Sequence, residues 1–242
     1  MTKKLFSKSA LSDRAGLWIV GLIAVTAALV GLLALAAYQR SPSPFTTEVL
    51  HGPVNLARSI EHHPLNIAIF RLVNHARHPL LDWITVGMTT IQLGWMLPVV
   101  FALTWRFRQA KLAPLAVALL LETALVIIVK KAFPQPRPAF LLDDVYLVRP
   151  YFTNAFPSGD VALMAVLAAI LAPGERLPLR VLLWGGVALI AWQRMYIGVH
   201  FPLDCLGGIG IGIMAAVVAR RWRQRRRSHT REPAAPTPAL DA

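Results

Sequence analysis

His200 and Asp204 have residue types and a spacing that suit covalent chemistry. They are four residues apart, so their side chains share one face if the segment is helical. A carboxylate beside an imidazole fixes the tautomer of the ring and stabilises its cationic form. The second ring nitrogen is then free to attack an electrophile such as phosphorus. Taken alone, such a pair is more often a helix cap or a surface pair, so its interpretation depends on its surroundings.

Cationic side chains and a helix start elsewhere in the chain are suited to bind an anion for this nucleophile. Arg137 and Arg194 carry guanidinium groups that bind phosphate through paired hydrogen bonds, and Lys130 adds a point charge. Prolines on both sides of Arg137 stiffen its loop. Ser158 and Gly159 open an apolar run, where backbone N–H groups and the helix dipole favour an anion. Each feature is common alone; their joint occurrence in this order predicts a phosphate-ester site.

The elements that position these residues follow from the distribution of apolar residues. The chain of 242 residues is 56% hydrophobic, and the apolar residues form long, nearly uncharged runs rather than alternating with polar ones. Runs of about 18 residues or more can cross the roughly 30 Å hydrocarbon core as helices. We therefore predict an all-α, polytopic membrane protein built as a bundle of six transmembrane helices. The predicted spans are residues 16–38, 80–107, 112–129, 161–171, 179–197 and 201–219.

The rest of the chain is divided by composition. Residues 1–15 are basic and polar, and the uncharged run 16–38 exceeds a usual signal-peptide core, so we predict a retained first helix. Residues 39–79 mix apolar residues with histidines and arginines, which predicts interfacial amphipathic helices. Residues 80–219 form the membrane domain that carries the candidate site. Residues 220–242 have few apolar residues and are predicted to be a disordered, basic cytoplasmic tail.

The distribution of basic residues indicates the membrane topology rather than binding of nucleic acid. The formal net charge is +13, but the basic residues lie between and after the apolar runs, so we predict no nucleic-acid partner. The positive-inside preference then places both termini in the cytoplasm and the candidate site at the outer face. Lys130, Lys131, Arg137 and Arg149 lie on the outer side against this preference, and an anionic ligand accounts for them. The protein is predicted to lie in a bacterial inner membrane, with its site facing the periplasm.

Metal chemistry has little support in the sequence. Cys205 is the single cysteine, which excludes an intrachain disulfide and a cysteine-based zinc site. The histidines of residues 39–79 have no metal-ligand spacing, so we predict no metal. Glu122 lies inside a predicted span, where an ionisable group is either functional or a protonated or paired group facing the bundle interior. Both interpretations of Glu122 stay open, and it is not assigned to the catalytic set.

Together the motifs resemble the type 2 phosphatidic acid phosphatase superfamily, which includes membrane lipid phosphatases and soluble vanadium haloperoxidases. The family pattern is Lys-x6-Arg-Pro, then Pro-Ser-Gly-His, then Ser-Arg-x5-His-x3-Asp. The resemblance covers roughly residues 80–219, and the membrane spans disfavour the haloperoxidase branch. The matching residues are Lys130, Arg137 and Pro138, then Pro157, Ser158 and Gly159, then Arg194, His200 and Asp204.

The resemblance implies a division of labour among these residues. His200 would be the nucleophile that forms a phosphohistidine, and Asp204 would orient it. No metal or other cofactor would be required, because cationic side chains neutralise the phosphate. The phosphate oxygens would be held by Lys130, Arg137, Ser158, the Gly159 amide and Arg194.

Two positions depart from the family pattern. Gln193 replaces the usual serine, which keeps a hydrogen-bonding group. Asp160 replaces the histidine that serves the family as general acid. Aspartate side chains are ordinarily ionised at neutral pH, and such a group repels phosphate and donates no proton. A phosphate leaving from a diphosphate needs less acid help than a lipid alkoxide does. We therefore hypothesise a prenyl diphosphate substrate, such as undecaprenyl diphosphate, with Asp160 alternatively acting as a base that activates water or an acceptor hydroxyl.

Several functions remain open at this point. The leading hypothesis is a lipid phosphatase, or a phosphotransferase that passes the phosphoryl group to an acceptor lipid. The second is a catalytically impaired family member that binds or transports lipid phosphate. The third is a scaffold that recruits anionic lipid through its basic tail. The sequence leaves the lipid and the oligomeric state undetermined.

Overall fold

The computed structural model describes residues 63–94, 96–147 and 154–229 of the chain. In these three stretches all regular structure is helical, without a strand, which confirms the all-α prediction for them. The predicted first span, 16–38, and residues 39–62 lie outside the described residues. The helices are α1 (Pro64–Asn74), α2 (Pro79–Gly94), α3 (Met96–Phe107), α4 (Gln109–Ala132), α5 (Pro138–Leu141), α6 (Gly159–Leu171), α7 (Leu177–Tyr196) and α8 (Pro202–His229).

The number of membrane spans is not confirmed. Two described helices, α4 and α8, are each long and apolar enough to cross a bilayer by themselves. Helix α6 is apolar but has only 13 residues, and the apolar helix α3 is described from Met96 to Phe107. The predicted span 80–107 is helical over Pro79–Gly94 and Met96–Phe107, and residue 95 between them lies outside the described residues. Large apolar side chains such as Trp83 (80% exposed) and Leu120 (74%) cover the outside of the bundle. An apolar exterior of this kind suits a lipid environment.

The core is built around α6, which packs against α4, α7 and α8. Gly208 and Gly212 of α8 are four residues apart and face α6 at very short range. A Cβ atom at Gly208 would contact the carbonyl oxygen of Ser158, and one at Gly212 would contact that of Ala162. Small residues at this spacing let two membrane helices approach closely. The start of α6 is therefore held against the first turns of α8, where Asp204 lies.

Helix α1 holds the loop that contains Tyr146 against the end of α7. Asn74 is fully buried and donates to the carbonyl oxygens of Tyr146 (2.9 Å) and Tyr196 (3.0 Å). The amide oxygen of Asn74 accepts from the backbone N–H of Tyr146 at 2.9 Å. Arg71 pairs with Asp144 at 2.9 Å, and this contact lowers the pKa of that carboxyl. The one described helix of the segment 39–79 thus packs on the bundle, and its position at the membrane interface stays a prediction.

The predicted disordered tail is wrong for its first ten residues, because α8 continues from Arg220 to His229. Arginine and glutamine are good helix formers, and basic side chains near a helix C-terminus interact favourably with its dipole. Extending a helix that is already nucleated fixes only one residue at a time, so an apolar surface is not required. Composition alone missed this continuation. Residues 230–242 lie outside the described part of the chain.

At the end of the bundle away from His200, ion pairs join the turn before α4 to the turn after α6. Glu175 accepts hydrogen bonds from Arg108 at 2.8 and 2.9 Å, which together with Lys111 lower the pKa of Glu175 to about 2. Lys111 Nζ also donates to the carbonyl oxygens of Leu171 (2.6 Å) and Pro173 (2.9 Å), near the end of α6. These contacts fix the end of α6 opposite to the candidate site.

Candidate active site

A tight turn between α7 and α8 presents His200. The amide of Val199 donates to the carbonyl of Arg194 (3.2 Å), which closes the end of α7. Gly198 has a φ of +82°, and a Cβ atom at this position would lie 2.6 Å from the carbonyl oxygen of Tyr146. Only glycine combines this backbone conformation with such a close approach. The turn therefore fixes where His200 enters the core.

His200 and Asp204 contact each other as their spacing predicts. His200 Nδ1 lies 3.1 Å from Asp204 Oδ2, and the same oxygen accepts the backbone N–H of Phe201 at 2.8 Å. Both side chains are buried, with 4% and 0% of their surface exposed. Because a carboxylate accepts hydrogen bonds, Nδ1 is the ring nitrogen that carries the proton. Nε2 is left with a lone pair.

The surroundings of His200 keep its ring neutral. Burial lowers the pKa of His200 well below its usual value of 6.5, and the positive charges of Arg137, Lys130 and Arg194 lower it further. A neutral imidazole with its lone pair on Nε2 is the nucleophilic form of histidine. The site thus holds His200 in the state that can attack an electrophilic phosphorus.

Arg137 stands next to the nucleophilic nitrogen. Its Nη1 donates to the carbonyl of Val199 at 2.7 Å and lies 3.5 Å from His200 Nε2. The side chain is buried, with 5% of the residue exposed. A phosphate group placed against Nε2 would therefore meet the Arg137 guanidinium.

Lys130 reaches the same region from the last turn of α4. Its Nζ donates to the carbonyl oxygens of Asn154 (2.6 Å) and Ala155 (3.2 Å), and the Asn154 side chain donates to the Lys130 carbonyl at 2.8 Å. The loop that leads into α6 is thereby held against the end of α4. This role of Asn154 could not be predicted, because none of the matching motifs includes that residue.

The start of α6 lies at the same cluster. Ser158 is the N-cap residue of α6 and is fully buried, yet its hydroxyl has no hydrogen-bond partner among the described residues. Its backbone N–H donates to the carbonyl of Asp204 at 3.0 Å, and this bond joins the start of α6 to the first turn of α8. A buried hydroxyl without a partner is costly unless a ligand fills the place. Gly159 follows as the first residue of the helix, where amide groups point outward and favour an anion.

Asp160 is paired with Arg194. The distance between Asp160 Oδ2 and Arg194 Nη1 is 3.3 Å. The Arg194 side chain is 1% exposed, whereas that of Asp160 is 33% exposed. The structure therefore brings all of the predicted site residues into one cluster and adds a contact that the sequence did not predict.

Gln193 has a larger structural role than the sequence suggested. It is fully buried, and its Nε2 donates to Thr89 Oγ1 (2.7 Å) and to the carbonyl of Thr85 (3.1 Å). These bonds tie α7 to α2 one residue before Arg194. Thr85 and Thr89, four residues apart on α2, were the available signal.

Glu122 lies within electrostatic range of Asp160, one of the predicted site residues. It is buried in α4, and its Oε2 accepts a hydrogen bond from the Thr123 hydroxyl at 3.3 Å. No hydrogen bond or ion pair within the described part of the chain joins Glu122 to the cluster around His200. In the same part of the chain, no group of three His, Cys, Asp or Glu side chains is arranged to hold a metal ion.

Known proteins share the sequence motifs and the fold of this chain. Residues 111–228 match the PAP2 superfamily. The chain is 42% identical to Aquifex aeolicus LpxE, whose crystal structure superposes with a TM-score of 0.64 and covers 67% of this chain and 99% of that one. The protein belongs to the PAP2 superfamily. The resemblance predicted from the motifs is thereby confirmed.

Two further relatives define the family setting of this PAP2 protein. An undecaprenyl-diphosphatase of Sulfolobus acidocaldarius is 25% identical over 150 residues, which cover 61% of this chain and 73% of that protein. A transmembrane PAP2-type phosphatidylglycerolphosphate phosphatase of Bacillus subtilis shares the fold, with a TM-score of 0.54 and 20% identity over 84% of this chain and 96% of that one. The protein is therefore an integral membrane member of a lipid phosphatase family.

Proposed function

We propose that this PAP2 protein removes the terminal phosphate of a prenyl diphosphate, with undecaprenyl diphosphate as the first substrate to test. The observation that carries the choice of substrate is the Asp160–Arg194 ion pair. A carboxylate in an ion pair holds no proton to give to a leaving group. A diphosphate leaves as a phosphate and needs little acid help, whereas a lipid alkoxide needs a proton. The similarity to an undecaprenyl-diphosphatase supports this proposal.

In the first step, His200 Nε2 attacks the terminal phosphorus of the substrate. An N–P bond forms, the P–O bond to the bridging oxygen breaks, and its electron pair leaves with the lipid monophosphate. Arg137, 3.5 Å from Nε2, stabilises the charge on the transferred phosphoryl oxygens. Asp204 stabilises the cationic ring of the phosphohistidine through its contact with Nδ1. The Ser158 hydroxyl, buried without a partner among the described residues, donates to a phosphoryl oxygen.

In the second step, water attacks the phosphorus of the phosphohistidine. The P–O bond forms as the N–P bond breaks, and the electron pair returns to Nε2 of His200. Asp160 is 33% exposed and stands beside Arg194, so it is placed to accept the proton of that water. The products are inorganic phosphate, neutral His200 and protonated Asp160, which then releases its proton to solvent. An acceptor lipid hydroxyl in place of water would make the same step a phosphotransfer.

We also propose that the site faces the periplasm of a bacterial inner membrane and that the bundle has six spans, with residues 80–219 as the catalytic domain. The ion-paired turns that contain Arg108 and Glu175 lie at the end of the helices opposite to His200. The basic end of α8 lies there as well. Basic residues collect on the cytoplasmic side of membrane proteins, so this end is assigned to the cytoplasm.

The test measures phosphate release from undecaprenyl diphosphate by the full chain purified in detergent. His200→Ala should abolish release, and His63→Ala, which changes an exposed histidine at the start of α1, should retain it. Asp160→His should gain activity on phosphatidic acid. Wild-type protein that hydrolyses phosphatidic acid as fast as the diphosphate would contradict the choice of substrate. If wild type releases no phosphate, with or without an acceptor lipid, the protein instead binds or transports lipid phosphate.

A further inference from the structure

A groove with a volume of about 430 Å³ opens at the end of the bundle opposite to His200. Small residues from the end of α6, including Ala168 and Ala172, form its floor. Helix α7 contributes Arg180 and Trp184 to one wall. Helix α8 contributes the other wall, formed by Ile213, Val217 and Arg220. Because α6 has 13 residues, the groove lies about 20 Å from the candidate active site.

The groove has a basic mouth and an apolar interior. Ile213, Val217 and Arg220 lie four and three residues apart, so they share one face of α8. At 1.5 Å per residue, Ile213 lies about 10 Å deeper along the helix than Arg220, and Trp184 lies about 6 Å deeper than Arg180. Both arginines therefore sit toward one end, above a slot lined by Trp184, Ile213 and Val217. This order of polar and apolar groups matches that of a phospholipid.

No acidic side chain among the described residues neutralises the charges at the mouth. Neither Arg180 nor Arg220 forms an ion pair with any described residue, and Arg220 donates one long hydrogen bond, of 3.4 Å, to the carbonyl of Ala169. The carboxylate of Glu175, at the same end of the bundle, is already bound by Arg108 and Lys111. A guanidinium group has five N–H donors, so most of those on the two arginines remain available to a phosphate diester.

We propose that this groove binds one anionic phospholipid from the membrane leaflet opposite to the candidate active site. The phosphodiester would lie between Arg180 and Arg220, and the first methylene groups of an acyl chain would fill the slot beside Trp184. A basic pocket between membrane helices on the cytoplasmic side is a recognised setting for anionic head groups. Free phosphate would satisfy the arginines but leave the apolar slot empty. The proposal does not depend on which substrate the active site takes.

The test uses the full chain in a neutral detergent and adds phosphatidylglycerol or phosphatidylcholine with the same acyl chains. Native mass spectrometry counts bound lipids, and the shift in melting temperature reports affinity. One phosphatidylglycerol should bind in preference to phosphatidylcholine. The double variant Arg180→Gln with Arg220→Gln should weaken binding roughly 30-fold, the combined effect of two arginines near an anionic surface. Phosphate release from the lipid diphosphate should persist in this variant.

Two controls separate the groove from general charge attraction. Arg221→Gln with Arg225→Gln removes the same charge from α8 outside the groove and should leave the affinity unchanged. Val217→Trp fills the slot without changing the charge and should also weaken binding. Equal loss in both arginine pairs, equal binding of phosphatidylcholine, or full affinity in Val217→Trp would overturn the proposal. Displacement of the lipid by inorganic phosphate at similar concentration would do so as well, because the apolar slot would then contribute nothing.

Discussion

Replacing Asp160 with asparagine tests whether this carboxylate competes with the substrate for Arg194. The two side chains are 3.3 Å apart, and the arginine is buried with 1% of its side chain exposed. Asparagine has nearly the same shape as aspartate but no negative charge. In Asp160→Asn, an incoming phosphate no longer displaces or repels a carboxylate when it reaches Arg194. We therefore expect tighter binding of phosphate to the variant than to the wild type.

The magnitude follows from the charge that is removed. Two unit charges 4 Å apart interact by about 1 kcal/mol in water and by about 4 kcal/mol at an effective dielectric constant of 20. Asp160 is 33% exposed, so solvent screens its charge and the effect lies toward the lower limit. A change of about 1–2 kcal/mol corresponds to phosphate binding that is about 5- to 30-fold tighter.

The assay follows formation of the lipid monophosphate from the lipid diphosphate, with inorganic phosphate added as a product inhibitor. The inhibition constant of phosphate should fall by the factor above in Asp160→Asn. Asp143→Asn is the matched control, because it makes the same chemical change at an exposed position in the loop before α6. An unchanged or higher inhibition constant in Asp160→Asn would refute competition for Arg194. An equal fall in both variants would show a general charge effect instead.

Three further predictions use other parts of the structure. The acid limb of the pH profile of kcat/KM should lie below pH 6.5, because the lowered pKa of His200 keeps Nε2 unprotonated until the pH falls further. An acid limb at or above pH 6.5 would contradict this prediction. Gly198→Ala should lower the free energy of unfolding by about 1–3 kcal/mol because of the positive φ and the nearby Tyr146 carbonyl, whereas Gly210→Ala, with open space around it, should not. The pKa of Glu175 is lowered to about 2 from 4.5, so its stabilising contribution is complete above pH 4.5 and is lost as the pH falls toward 2. The difference in melting temperature between wild type and Glu175→Gln should therefore be larger at pH 7 than at pH 3.

The parts of the site that depend on local spacing could be predicted from the sequence. His200 and Asp204 needed only a shared helical face, and they contact each other at 3.1 Å. The Asp160–Arg194 contact could not be predicted in this way, because it depends on how α6 and α7 pack together. The sequence indicated only that an aspartate beside phosphate is unfavourable. The structure shows the cation that compensates for it.

The prediction of the fold is correct where apolar runs are long and wrong where it relied on composition alone. Helix α4 covers the predicted span 112–129 with a few extra residues at each end. The continuation of α8 to His229 was missed because a basic, polar segment was taken to be unfolded. The segment is helical because it continues from the apolar turns that precede it, and the composition of the segment alone does not show this.

The charge of the cluster connects Asp160 to turnover. Lys130 and Arg137 donate to backbone carbonyl oxygens, which position them without neutralising them. The cluster contains three cations, Lys130, Arg137 and Arg194, and two carboxylates, Asp160 and Asp204. With His200 neutral, its formal charge is therefore +3 − 2 = +1. A neutral residue in place of Asp160 would leave +2 and hold inorganic phosphate more tightly. In many enzymes with a fast chemical step, product release limits turnover. A carboxylate that weakens product binding would then raise the rate at which such an enzyme turns over.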